Sequence, residues 1–238
     1  HRPEHDELVR RIMRADRPDY DVTGIVTAVQ GTGGGGKTTL AEAVVDELAA
    51  DPRRFDGVVR LALSGTPHIS NLLHAAICQV TRDTREPIVS DVEEGKRRLA
   101  QSARGKSLLV LLDDVWDRRD IEPFLHAFKH CPTLVTTRSL SVIREFGDPV
   151  VLDKFTPEQA LDKISAGLPP GEEKRLSALA RALTYWPLAL DLANAFLFDE
   201  LRSGPSESLS DAISLAEGEL KRYGFRAFGS GNGPAKST

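Results

Sequence analysis

Between Gly31 and Thr38 the chain reads Gly-Thr-Gly-Gly-Gly-Gly-Lys-Thr, which satisfies the spacing G-x-x-x-x-G-K-[ST] throughout. A glycine run of this kind lets successive backbone N–H groups curl around a phosphate with no Cβ in the way. It does so only where a strand delivers the chain to the turn and a helix carries it away. Both flanks are present. Ile25 to Gln30 is a short apolar run, and after Lys37 the residues Leu40, Val44 and Leu48 recur at helical spacing. These flanks argue against a flexible glycine linker. The helix starting at Lys37 aims its positive dipole end at the same anion. Gly33, Gly34, Gly35 and Gly36 are then expected to supply the phosphate cradle. Lys37 should bridge the β- and γ-phosphates, Thr38 should place its hydroxyl on Mg²⁺, and Thr39 should bond the α-phosphate.

The rest of the first part alternates in the same way. Val58 to Leu63 is a second apolar run, and Ile69 to Val80 and Asp91 to Ala103 read as helices. Leu108 to Leu112 is an unbroken aliphatic run, the mark of a strand buried on both faces. Thr133 to Thr137 is β-rich, and Val150 to Leu152 is a short last strand. This predicts an α/β fold, a P-loop parallel sheet flanked by helices. After Asp153 the pattern is helical only. Thr156 with Pro157 and Gln159 forms a capping box; Glu172 to Leu183, Pro187 to about Leu201, and Asp211 to Tyr223 follow as helices. The expected organisation is a nucleotide-binding domain over 1–153, a small all-helical domain over 154–228, and a disordered Gly-rich tail over 229–238.

Two further strand ends carry chemistry. The aliphatic run ends in Asp113-Asp114, and a buried strand ending in acids is how P-loop proteins present a partner for Mg²⁺. Asp113 is expected to hold the metal through water, and Asp114 to orient or deprotonate an attacking water. An acidic turn after a core strand is the bland reading, and the upstream glycine loop argues against it. Asp114 is a methylene shorter than Glu, which points to slow hydrolysis. The β-rich run ends in Thr136-Thr137-Arg138, and parallel sheets place ligands at the carboxyl ends of their strands. Arg138 is either a reader of the γ-phosphate or a solvated arginine.

Taken in order, these segments resemble the NB-ARC family of signal-transducing P-loop ATPases, which includes plant disease-resistance proteins, the apoptotic protease-activating factor and bacterial regulators. The resemblance rests on the loop with its double Thr, Asp113-Asp114-Val115-Trp116, and Leu134-Val135-Thr136-Thr137-Arg138. Phe55-Asp56-Gly57-Val58-Val59, Tyr185-Trp186-Pro187-Leu188-Ala189-Leu190 and Arg2-Pro3-Glu4 add to it. It implies that Arg2 lies near the adenine, that Pro187 touches adenine or ribose, and that Arg138 senses the γ-phosphate. It implies ADP when resting, ATP when active, and oligomerisation on exchange. Tyr185 and Trp186 stand where the family's motif has Gly and Leu. The family's winged-helix domain, with a His on the ADP β-phosphate, and its sensor domains are expected elsewhere in a longer protein.

The remaining features set limits. A net charge of −4 is too mild and too mixed to predict nucleic-acid or membrane binding. Cys78 and Cys131 form no disulfide framework and suit a reducing cytoplasm. No stretch approaches the roughly 18 apolar residues of a membrane span. A chain opening at His1 without Met reads as an excised piece. His126, His130 and Cys131 have metal-like spacing but read as a solvated helix face and its end. Lys96-Arg97-Arg98 reads as the wet face of a helix. Trp116 and Trp186 read as packing residues, and Cys78 as a buried small hydrophobe. The expected function is an ADP/ATP switch with slow Mg²⁺-dependent hydrolysis. By itself the chain should be monomeric; a turnover ATPase of the AAA type is the alternative.

Overall fold

The computed structural model describes residues 2–15, 26–30, 34–143, 149–152, 154–224 and 228. Among the described residues five strands form a single sheet, all parallel, in the order β2-β3-β4-β1-β5: β1 Val26–Gln30, β2 Gly57–Ala62, β3 Leu108–Val115, β4 Thr133–Thr137 and β5 Val150–Val151. Parallel neighbours need crossover connections, and helices supply them. The described helices of this part are α1 Pro3–Ala15, α2 Lys37–Ala49, α3 Ile69–Thr81, α4 Val92–Ala103, α5 Arg118–Ala127 and α6 Leu140–Ile143.

The aliphatic run of β3 shows why the sheet must be covered on both faces. Leu108, Val110 and Leu112 point into one core, where α3, α4, α5 and α6 pack. Leu109 and Leu111 point into the other, against Leu8 and Ile12 of α1 and Val44, Val45 and Leu48 of α2. Alternation of this kind leaves no position on the strand for a polar side chain until the strand ends. Val135 and Leu134 of β4 divide between the two cores in the same way. The acids of β3 sit near the strand's end, where burial relaxes at Asp113 and Asp114 before Val115 is buried again.

The chain forms two compact units. The first runs to Leu152 without Gly34–Gly36. The second holds Gly34–Gly36 and the described residues from Lys154 onward. In the second, α7 Pro157–Ser165, α8 Glu173–Ala182, α9 Pro187–Ser203 and α10 Leu209–Tyr223 enclose their own core, with Leu176, Leu179, Leu190, Leu197 and Ile213 at its centre. The capping box read at Thr156 is present: Gln159 N–H donates to the Thr156 hydroxyl and Thr156 N–H to the Gln159 side chain. Residues 229–238, read as a tail, and Asp153, read as the boundary, lie outside the described residues.

Helix α8 ends in a way that composition does not advertise. Tyr185 N–H reaches the Ala180 carbonyl and Thr184 N–H reaches that of Arg181, the paired bonds of a Schellman motif. Its left-handed position is normally glycine, yet here Thr184 has φ 53° and Tyr185 φ 56°. Tyr185, which stands where the family's motif has Gly, thus keeps a glycine-like backbone.

Candidate functional site

The carboxyl ends of β3, β4 and β1 lie side by side, with Gln30 and Val115 both level with Thr137. This arrangement collects the residues that the motifs singled out. Helix α2 opens at Lys37, and Lys37 is only 7% exposed. Burial holds its pKa below the ordinary lysine value, and the nearby Arg138 guanidinium lowers it further, against the opposing pull of Asp114 and Asp113. Thr38 donates its hydroxyl to the Asp113 carboxylate at 2.9 and 3.1 Å. Thr39 is exposed on the same first turn of α2.

The pairing of β3 with β4 slips at this end. Leu112 is level with Val135 but Val115 with Thr137, so Asp113 and Asp114 together face Thr136. This is a β-bulge, a device that re-aims side chains at the rim of a sheet. Asp114 takes up the extra residue with φ 52°, a left-handed conformation that Asp tolerates better than most residues. The Asp114 carboxylate lies 3.4 Å from the Arg138 guanidinium, and that guanidinium stacks over Trp116 at 5.8 Å. Trp116 is 57% exposed, which corrects the expectation of a packing residue. The bulge leaves it beyond the last buried position of β3, where its partner is Arg138.

Arg2 stands immediately before α1, half-buried, and burial lowers its pKa while Glu4 opposes. In the second unit Pro187 is buried as the first residue of α9, and Trp186 caps that helix without a side-chain hydrogen bond. The Gly34 carbonyl accepts from Leu188 N–H at 3.2 Å. Gly34 and Gly36 have φ 74° and 82°, values that favour glycine. A Cβ on Gly34 would fall 2.8 Å from the Leu188 Cβ. Gly33 lies outside the described residues.

The residues fit the groups that the motif implies. Thr38 and Asp113 offer hard oxygen donors of the kind Mg²⁺ selects. A buried lysine whose charge is disfavoured by burial and by a neighbouring arginine suits a phosphate, which would relieve both penalties.

The NB-ARC domain family model matches residues 3–174, most of the chain. The chain belongs to the NB-ARC family. This NB-ARC chain is 28% identical over 241 residues to the regulatory protein AfsR of Streptomyces griseus, covering 88% of the chain and 24% of that protein. It is 28% identical over 152 residues to a probable disease resistance protein of Arabidopsis thaliana, At1g61300, covering 59% of the chain and 19% of the relative. It therefore spans about a quarter or less of these relatives' lengths. Among solved structures, Cdc6p of Pyrobaculum aerophilum superposes with a TM-score of 0.69 at 12% identity, covering 88% of the chain and 64% of Cdc6p. At that identity the likeness speaks for the fold alone. As an NB-ARC member with a P-loop fold, the chain is a nucleotide-binding ATPase module.

Other expectations divide. His126 and His130 are exposed on and just after α5, as read, and Cys131 is buried. Cys78 is only half-buried, with its sulfur 3.7 Å from His74 Nε2. It lies on the margin of α3's apolar face, whose buried line runs through Leu73, Ala76, Ile77 and Val80. Sequence reading missed Thr136. Its only sign was a second threonine beside Thr137, with no distance from Asp113 to make it count.

Proposed function

We propose that the chain is the ADP/ATP-controlled switch of a longer signalling protein, holding ADP at rest and hydrolysing ATP slowly with Mg²⁺. The observation that carries this reading is the ion pair between Asp114 and Arg138. The acid suited to prepare a water and the cation suited to read a γ-phosphate occupy each other. An enzyme built for turnover would keep its base available; a switch benefits from one that is engaged until ATP draws the arginine away.

The other roles extend the same reading. Lys37 is the buried cation for the β- and γ-phosphates, Gly33 to Gly36 the cradle, and Thr39 the α-phosphate contact. Thr38 and Asp113 would hold Mg²⁺, which when bound neutralises phosphate charge. Arg2 and Pro187 are assigned to the adenine and ribose. Exchange of ADP for ATP would then govern oligomerisation together with winged-helix and sensor domains of the longer protein, in the cytoplasm. Coverage of only a quarter of a regulatory relative supports such a context.

Lys37→Ala tests the assignment. It should abolish ADP binding by calorimetric titration while leaving the circular dichroism spectrum unchanged. Unaltered ADP affinity in a folded Lys37→Ala chain would refute the site. Acid extraction of the purified chain should release ADP, and a chain that neither carries nor binds adenine nucleotide would refute the function.

A further inference from the structure

Thr136 is buried to 1% exposure, and its hydroxyl is engaged on both sides. A hydroxyl has a single proton to donate and lone pairs to accept with. Here the proton goes to the Asp113 carboxylate oxygen Oδ1, and a lone pair receives Asp114 N–H at 2.9 Å. The bulge explains why one residue serves both acids. Thr136 is the single residue of β4 opposite Asp113 and Asp114, and the extra residue of a bulge loses its ladder partner. The amide so released, on a backbone turned to φ 52°, finds the Thr136 side chain.

Resting on the proposed function, we infer that Thr136 is a positioning residue that sets the metal-binding carboxylate and the hydrolytic acid together. Thr38 grips Asp113 from α2, and Thr136 grips it from β4. The Oδ1 of Asp113 is thereby held by two hydroxyls from two different elements. The same Thr136 oxygen fixes the backbone from which the Asp114 carboxylate reaches Arg138. Groups that orient a metal-binding carboxylate are worth about 10- to 100-fold in metal affinity. Valine has the shape and β-propensity of threonine but neither donates nor accepts, so Thr136→Val removes both bonds with little change in packing.

The test titrates Mn²⁺ into the ADP-bound chain and reads free Mn²⁺ by electron paramagnetic resonance, which needs no turnover. Thr136→Val should weaken Mn²⁺ by about tenfold or more, and Thr136→Ser should restore it to near the wild-type value. Thr133→Val is the structural control: Thr133 is equally buried on β4, but its hydroxyl bonds the Cys131 carbonyl at the strand's other end. It should leave Mn²⁺ affinity unchanged. Wild-type affinity in Thr136→Val, or an equal loss in Thr133→Val, overturns the inference. Should Thr136→Val not fold, Thr136→Ser and Thr136→Ala form a second pair that differs only in the hydroxyl; equal affinities there overturn it as well. A wild-type chain that binds no ADP overturns the proposed function and this assignment with it. Wild-type binding with an unaffected Thr136→Val overturns this assignment alone.

Discussion

Replacing Arg138 with alanine should weaken ATP and spare ADP, and the structure sets the size of the effect. Arg138 is 56% exposed at its side chain and engaged twice, to Asp114 at 3.4 Å and over the face of Trp116. An exposed ion pair contributes about 0–1 kcal/mol, and an exposed cation–π contact about 0.5–1 kcal/mol. A charge-assisted bond to the γ-phosphate contributes roughly 1.5–3 kcal/mol. Moving Arg138 from its resting partners to ATP therefore gains about 1 kcal/mol, or roughly fivefold in affinity. Arg138→Ala should lose that factor for ATP and change ADP by less than about twofold, since ADP offers no γ-phosphate. Trp116→Ala should act in the opposite direction: it removes a resting contact and should tighten ATP by about two- to fivefold, the equivalent of 0.5–1 kcal/mol. Competition titrations with a non-hydrolysable ATP analogue and with ADP measure both. Equal losses for the two nucleotides in Arg138→Ala would refute a γ-phosphate role, and unchanged ATP affinity in Trp116→Ala would refute the competition with the resting contacts.

Other predictions concern the loop, a helix end and pH. Gly35→Val should keep ADP binding, because the loop's positive φ values among the described residues fall on Gly34 and Gly36. Gly36→Val should abolish it: φ 82° costs a β-branched residue at least about 1–2 kcal/mol, and a side chain there would stand beside Lys37. Equal behaviour of the two variants by calorimetry would contradict this. Thr184→Asn should stabilise the second unit, because exposed Thr184 occupies a left-handed position that Asn fills at lower cost. A gain of about 0.5–1 kcal/mol would raise Tm by roughly 1–4 °C in a chain of this size, and a lower Tm would count against strain at that position. Lys37 carries a lowered pKa, so the unfolded chain binds that proton more tightly. Its contribution opposes folding below the lowered value and fades as pH rises toward the ordinary 10.5, so stability from this group rises with pH across that window. ADP needs the charged form, so its affinity should fall over the same window. An affinity flat through alkaline pH would show that Lys37 is not the phosphate's cation.

Much of the fold was legible because it rests on patterns that sequence displays directly. The aliphatic run from Leu108 could only be a doubly buried strand, and β4 has the bounds read for it, Thr133 to Thr137. What escaped depends on spatial partners. The run was read to end at Leu112, whereas β3 continues to Val115, because a bulge lets Val115 rejoin Thr137. Helix α1 was read only for its first residues, although Leu8 and Ile12 lie one turn apart and are fully buried. Charged residues surround these positions, and Val9 and Met13, partly buried beside them, complete the apolar face. The left-handed backbone at Tyr185 was hidden behind an aromatic residue in place of glycine. At the candidate site, motif spacing pointed to Lys37, Thr38, Asp113 and Asp114; spacing alone left Arg138 divided between a phosphate reader and a solvated arginine, and its place beside Asp114 came only with the structure. Thr136 was not, since its importance comes from the register slip that sets it opposite two acids.

Whether the Asp114–Arg138 pair belongs to a switch or to a motor is decided most directly by one preparation followed through a single-turnover and a steady-state phosphate-release assay, with light scattering alongside. The account predicts a monomer whose ATP turnover is far slower than the ordinary enzyme range of roughly 1–10³ per second. Asp114 is a methylene shorter than Glu, so it reaches an attacking water less well, and in the resting state it is occupied by Arg138 until ATP binds. Assembly into a nucleotide-driven ring that turns over faster than about once per second would contradict it and place the chain among the turnover ATPases.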